Sequence, residues 1–247
     1  MIRKNIIANY IGASFAMLAP ILALPWYLAM LGASQFGLVG FILMIQAFLG
    51  LIDAGMSQAL VREMSVRLTS ENIGKEKIAE LLFGFERVYW VIALALGSIT
   101  FILSKYIANN WLNLDSSLTE IGSQAVSGAA IIFIFQFPGS LYRSFLVAAQ
   151  EMVLLNTIIL ISSFVRHLGG VVIIFQYPTI TTYLIWNALV SLIETLIRSK
   201  VVWNIIDVED SAKRWNLNDL LTIWRFVAGM SFATWLGALS VQMDRII

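Results

Sequence analysis

The chain has 247 residues, a formal net charge of +1 at pH 7, 59% hydrophobic and 13% charged residues, and a mean hydropathy of +0.83. Soluble domains carry roughly 25% charged residues, so a surface this poor in charge must meet lipid, and a nucleic-acid binder with a solvated basic stripe is excluded. The absence of cysteine removes disulfides, thiolate metal sites and a cysteine nucleophile, and the single histidine, His167, leaves little for a metal centre; neither metal nor cofactor is expected.

Arg3 and Lys4 open the chain, but the apolar run that follows, 6–31, is far longer than a signal-peptide core of about 7–15 residues. It reads as a retained membrane span. A helix needs about 20 apolar residues to cross about 30 Å of hydrocarbon. Seven stretches qualify: 6–31, 36–61, 81–104, 123–148, 152–176, 181–203 and 220–247. None alternates with period two and all exceed a barrel strand in length. The expected fold is therefore all-α, a polytopic transmembrane bundle of about seven spans.

Lysine and arginine set the orientation. With the N-terminus in the cytoplasm, the inner segments hold Arg3, Lys4, Arg62, Arg67, Lys75, Lys77, Arg198, Lys200, Lys213 and Arg214, and the outer connectors hold Lys105 alone. Aromatic residues give the interfacial belts expected of amphipathic rings: Trp26, Tyr27, Tyr106, Trp111, Tyr177 and Tyr183 at outer ends, Trp203 and Trp215 at inner ones. In the seventh span Gly229, Ala233 and Gly237 form a stripe of small residues, read as ordinary helix packing.

Ionisable groups inside spans carry the chemistry, because each costs about 2.5–3.5 kcal/mol at a span centre unless it faces a partner or a cavity. Asp53 falls in the second span, Glu86 and Arg87 early in the third, Arg143 late in the fourth, Arg166 and His167 mid-way along the fifth, Glu194 in the sixth, Arg225 early in the seventh and Asp244 and Arg245 near its end. Glu194 precedes Arg198 by four residues, the spacing of a pair on one helix face. Arg87 is near enough to an end to snorkel, and Asp244 and Arg245 are within reach of outer headgroups. Arg166 has about ten apolar residues on each side, so it pairs with Asp53 or lines a cavity. Arg143 follows Pro138 by five residues, where a proline loosens the helix. Asp53, Arg87, Arg143 and Arg225 fall in the inner half and Arg166 mid-membrane, and four arginines against Asp53 and Glu86 leave net positive charge. The expectation is a cationic, inward-accessible cavity for an anionic headgroup, since the guanidinium fork binds two phosphate oxygens and stays charged.

Leu31-Gly32-Ala33-Ser34-Gln35-Phe36-Gly37 resembles the LG-x-x-x-FG link between the first two helices of polysaccharide-biosynthesis transporters, in the multidrug/oligosaccharidyl-lipid/polysaccharide exporter superfamily. The run Leu51 to Glu63, with Asp53, Gly55, Ala59, Arg62 and Glu63, is similar to their L-x-D-x-G-x-x-x-A-x-x-R-E signature, and Gln242-Met243-Asp244-Arg245 to a Q-x-D-R in helix seven. The resemblance implies a flippase of the O-antigen (Wzx) type in a bacterial inner membrane, built as two six-helix lobes about a central cavity and working by alternating access. Its cargo would be an undecaprenyl-diphosphate-linked sugar unit moved from the cytosolic to the outer leaflet, with polysaccharide polymerase machinery as a further partner. It places Asp244 and Arg245 with the cavity residues. It also divides the chain into a six-helix lobe (1–203), a cytoplasmic linker (204–219) and the first helix of a second lobe (220–247), so that the chain is expected to be a fragment.

Three other classes fit less well. A membrane-embedded enzyme needs a catalytic constellation near one interface, whereas His167 is alone and deep, and no catalytic residue is expected. A retinal-type protein wants a lysine mid-way along the last helix, and 220–247 has none. An exporter of another small molecule in the same superfamily stays open, although a multidrug cavity would be less cationic.

Overall fold

A computed structural model describes residues 2–70, 73–110, 119–209, 211, 213–215, 221, 223–224, 227–234 and 236–237. Helix α1 covers Ile2–Thr69, α2 Lys75–Ile102, α3 Ser104–Asn110 and α4 Thr119–Ala148; α5 covers Met152–Phe164, α6 Gly170–Gln176 and α7 Ile180–Ile206. The described residues thus form an all-helical bundle, as the absence of period-two patterning requires. Five helices are long and apolar enough to cross a membrane.

The first of these contains two predicted spans, because the helix breaks at Gly32, with φ 74° and ψ 165°. Neighbouring contacts show that the chain reverses there. Asn156 bonds Asn9, Phe164 stacks on Phe15 and Gly170 abuts Tyr27, so 2–31 runs parallel to 152–176. Beyond the break, Gln35 accepts from the Ile180 amide at 3.0 Å and Ile42 packs in one layer with Ile132. Farther on, Asp53 and Ser57 share a pocket with Arg143 and Ser144. Residues 33–69 therefore run along α4, which is itself parallel to α7: Gln124 meets Thr181, and Gly139 meets Arg198. The span seen as 152–176 is one rod made of α5, a π turn at Val165–Gly169, and α6.

Gly32 sits in backbone space that is essentially glycine-only, and an added Cβ would meet nothing within 4 Å. Strain alone therefore decides the outcome of a substitution. Gly32→Ala is expected to lower stability by about 1–3 kcal/mol, read as a lower unfolding midpoint in detergent.

Lipid-embedded helices gain little from apolar burial against one another, so close backbone approach through small residues does the packing. Ala23, Ala59, Ala79, Ala93, Ala125, Ala129 and Ala130 have no exposed surface. The central helix is α4: 67% of its most apolar stretch is buried, against 22% in α2 and 17% in 152–176. Two apolar layers result. One joins Leu60, Leu82, Phe85, Phe137 and Phe145 near the 62–80 connector, and also takes in Ile223 and Val227. The other joins Ala23, Tyr27, Ile42, Ala129 and Ile180.

Several expectations are corrected here. Trp26, Tyr106, Tyr177 and Trp215 are exposed as belt residues should be, but Tyr27 and Tyr183 are buried and pack edge to face at 5.4 Å; their place is between helices. The stripe of Gly229, Ala233 and Gly237 is exposed, and a Cβ at either glycine would touch nothing, so it serves no packing contact among the described residues. The close approach falls instead at Gly55, which faces the Ser231 backbone with no room for a Cβ. Arg225, Asp244 and Arg245 lie outside the described residues, as does Trp111.

Candidate functional site

Polar residues recur along α7 at Asn187, Ser191, Glu194 and Arg198, steps of four, three and four that keep them on one helix face. Along α4, Ile132, Gln136, Arg143 and Val147 do the same, and along α1 Asn9, Gly12, Ala16 and Pro20. These three faces, with α5 and the π turn, enclose a cavity of about 780 Å³. That is within the roughly 300–1,000 Å³ of small-molecule sites. Its charged lining among the described residues is Arg143, Arg166, Arg198 and Glu194, three guanidiniums against one carboxylate. Amides add fixed donor and acceptor pairs: Asn9, Gln46, Gln136, Asn156 and Asn187.

Arg166 stands on the π turn. Such turns leave backbone carbonyls without their regular helical partners, and side chains from two neighbours supply replacements. The Trp186 indole NH donates to the carbonyls of Val165 at 3.1 Å and Arg166 at 3.2 Å. The Tyr27 hydroxyl donates to that of His167 at 2.9 Å. Glycine 169 abuts Trp186, and Gly170 abuts both Tyr27 and Trp186. The turn is thus held from both sides, which fixes where Arg166 emerges.

From there the guanidinium reaches α7. Arg166 donates to Ser191 Oγ at 2.9 Å and to the Asn187 carbonyl at 3.4 Å, and forms an ion pair with Glu194 Oε2 at 2.8 Å. The other oxygen of Glu194 takes Arg198. Arg198 also donates to the Gly139 carbonyl at 3.5 Å, while its Nε is buried without a partner. Thr195 donates to the Phe135 carbonyl at 2.7 Å. Both α4 carbonyls flank Pro138, where the missing NH interrupts the helical ladder, so α7 stitches α4 at its weak point.

Of the two alternatives for Arg166, it lines the cavity, and its carboxylate partner is Glu194 rather than Asp53. Asp53 accepts from Ser57 Oγ on both oxygens at 2.9 Å and from the Tyr89 hydroxyl at 2.9 Å. It lines a second pocket of about 520 Å³ that shares Arg143 and Val147 with the main cavity. Arg143 is exposed into both spaces and makes no hydrogen bond or ion pair with a described residue. Arg87 stands apart, exposed on α2 with its guanidinium 4.5 Å from the Phe83 ring centroid, and Glu86 beside it accepts from the Tyr142 hydroxyl at 2.7 Å. His167 lines the main cavity.

The structure therefore brings Arg143 and Arg166 into one cavity, sets Asp53 next door and leaves Arg87 outside. Sequence reasoning passed over Glu194 and Arg198, which a four-residue spacing explains as a self-contained pair, and the amides. The four-three-four polar stripe on α7 was the signal that contained them. No family model, curated protein or solved structure matches the chain.

Proposed function

We propose that this membrane protein is a transporter, and not an enzyme, whose cavity receives the anionic headgroup of a lipid-linked sugar and passes it across the bilayer. One observation carries the reading. Among the described residues, three arginines, one carboxylate and five amide side chains line a cavity of about 780 Å³. Guanidiniums suit phosphate, and amides, with a donor and an acceptor each, suit sugar hydroxyls. The resemblance of about 31–63 and 225–245 to polysaccharide-biosynthesis transporters supports the same cargo. On that resemblance it is an undecaprenyl-diphosphate-linked unit, moved from the cytosolic to the outer leaflet of a bacterial inner membrane with the N-terminus inside. The ten cationic residues assigned to inner segments support that orientation, although Arg198 belongs to the cavity rather than to the membrane surface.

A photoreactive side chain at Gln136, an exposed cavity residue on α4, tests the cargo. In cells that make lipid-linked sugars, illumination is expected to yield an adduct with the mass of a polyprenyl-diphosphate sugar. Adducts with bulk phospholipid alone would count against the reading.

A further inference from the structure

Glu194 is the one carboxylate among the described residues that line the main cavity, and its two oxygens are divided between two arginines from different elements. One carboxylate thus faces two guanidiniums, and the triad carries a net positive charge. Here both cations keep spare capacity: a guanidinium has five N–H donors, and Arg198 Nε is buried without an acceptor. The side chains of Arg166, Glu194 and Arg198 are 17%, 12% and 11% exposed, so water does little to screen the excess positive charge.

We infer that Glu194 is a tethered competitor for the ligand's anionic group, occupying the Arg166–Arg198 site until a diphosphate displaces it. The inference rests on the anionic-ligand reading above and adds how that ligand is admitted and released. A diphosphate carries more charge and more acceptor oxygens than one carboxylate, so it can bond both guanidiniums and draw on Arg143, which lines the same cavity. Glu194 then swings free of two cations at once. When the diphosphate leaves, the carboxylate returns, so neither arginine is left buried and unpaired. The device lowers affinity, and a transporter needs that: a site that binds too tightly does not discharge. Because Arg166 is anchored on the π turn and Glu194 on α7, the exchange also removes an ion pair between the rod 152–176 and α7, while the Trp186 and Ser191 bonds to the π turn stay in place.

The test is binding to the 247-residue chain in phosphatidylcholine nanodiscs, wild type against Glu194→Gln, which keeps size and an acceptor but removes the charge. Inorganic pyrophosphate and farnesyl diphosphate serve as probes, separating a free anion from a lipid headgroup. Affinity for at least one probe is expected to rise about tenfold or more in the variant, with chloride at equal ionic strength inert. A variant that loses stability is covered by a second readout: pyrophosphate should raise its unfolding midpoint more than it raises that of wild type. If wild type binds a probe and Glu194→Gln binds it equally or more weakly, without extra protection from unfolding, the competitor role is overturned while the cationic-cavity reading stands. If neither protein binds either probe, both fall.

Discussion

Replacing Glu194 with alanine is expected to destabilise the bundle by about 3–5 kcal/mol, the largest stability effect that any single substitution in the cavity should produce. The carboxylate sits between Arg166 and Arg198, and its removal leaves two mostly buried guanidiniums facing each other. Charge in a low-dielectric interior is costly when unpaired, and neither Ser191 Oγ nor the carbonyls of Asn187 and Gly139 carries a compensating charge. The same reasoning predicts an asymmetry. Converting all three residues together, Arg166→Met, Glu194→Leu and Arg198→Met, should recover most of the loss, because a well-packed apolar set replaces a buried ionic one at little or no cost. Thermal unfolding of the single and triple variants in detergent checks it. A single variant within about 0.5 kcal/mol of wild type would show that the triad holds nothing together.

The bundle was legible in the sequence because lipid imposes a coarse rule. Length and apolarity alone marked six runs that the described helices occupy, and the gap between 6–31 and 36–61 coincides with the break at Gly32, φ 74°. What depended on depth and facing was less legible. Tyr27 and Tyr183 sit at span ends in sequence, where rings usually meet headgroups, yet they pack against each other because one hydroxyl is needed at the His167 carbonyl. Arg198 lies only a few residues from the polar connector after 203 and so reads as a surface cation, but α7 continues to Ile206 and keeps it inside. The π turn left no mark in composition. A five-residue change of pitch at Val165–Gly169 alters which way Arg166 points without altering how apolar the run is. The pairing of Arg166 with Glu194 rather than Asp53 follows from that pitch and from the register of α7, neither of which spacing within one helix can supply.

The second large effect concerns activity. Arg143 is exposed in the cavity and unpaired among the described residues, and Arg166 is held in place by the π turn, so the two play different parts. On the proposed function, Arg143 follows the anion and Arg166 anchors it. A charge-assisted hydrogen bond contributes about 1.5–3 kcal/mol, which corresponds to a loss of roughly 10- to 150-fold for each arginine that ceases to bind phosphate. Arg143→Gln should reproduce that loss with normal folding, since it breaks no ion pair. Arg166→Gln should do so while leaving Glu194 paired with Arg198, and therefore without the collapse expected of Glu194→Ala. Arg87→Gln, outside the cavity on α2, serves as the control for charge removal in a span. The deciding measurement for the proposed function is the transfer rate of lipid-linked sugar between leaflets for the protein carrying each substitution at matched membrane abundance. Sharp losses at Arg143 and Arg166, with a near-normal rate at Arg87, are the predicted result; wild-type rates at both Arg143 and Arg166 would contradict the account.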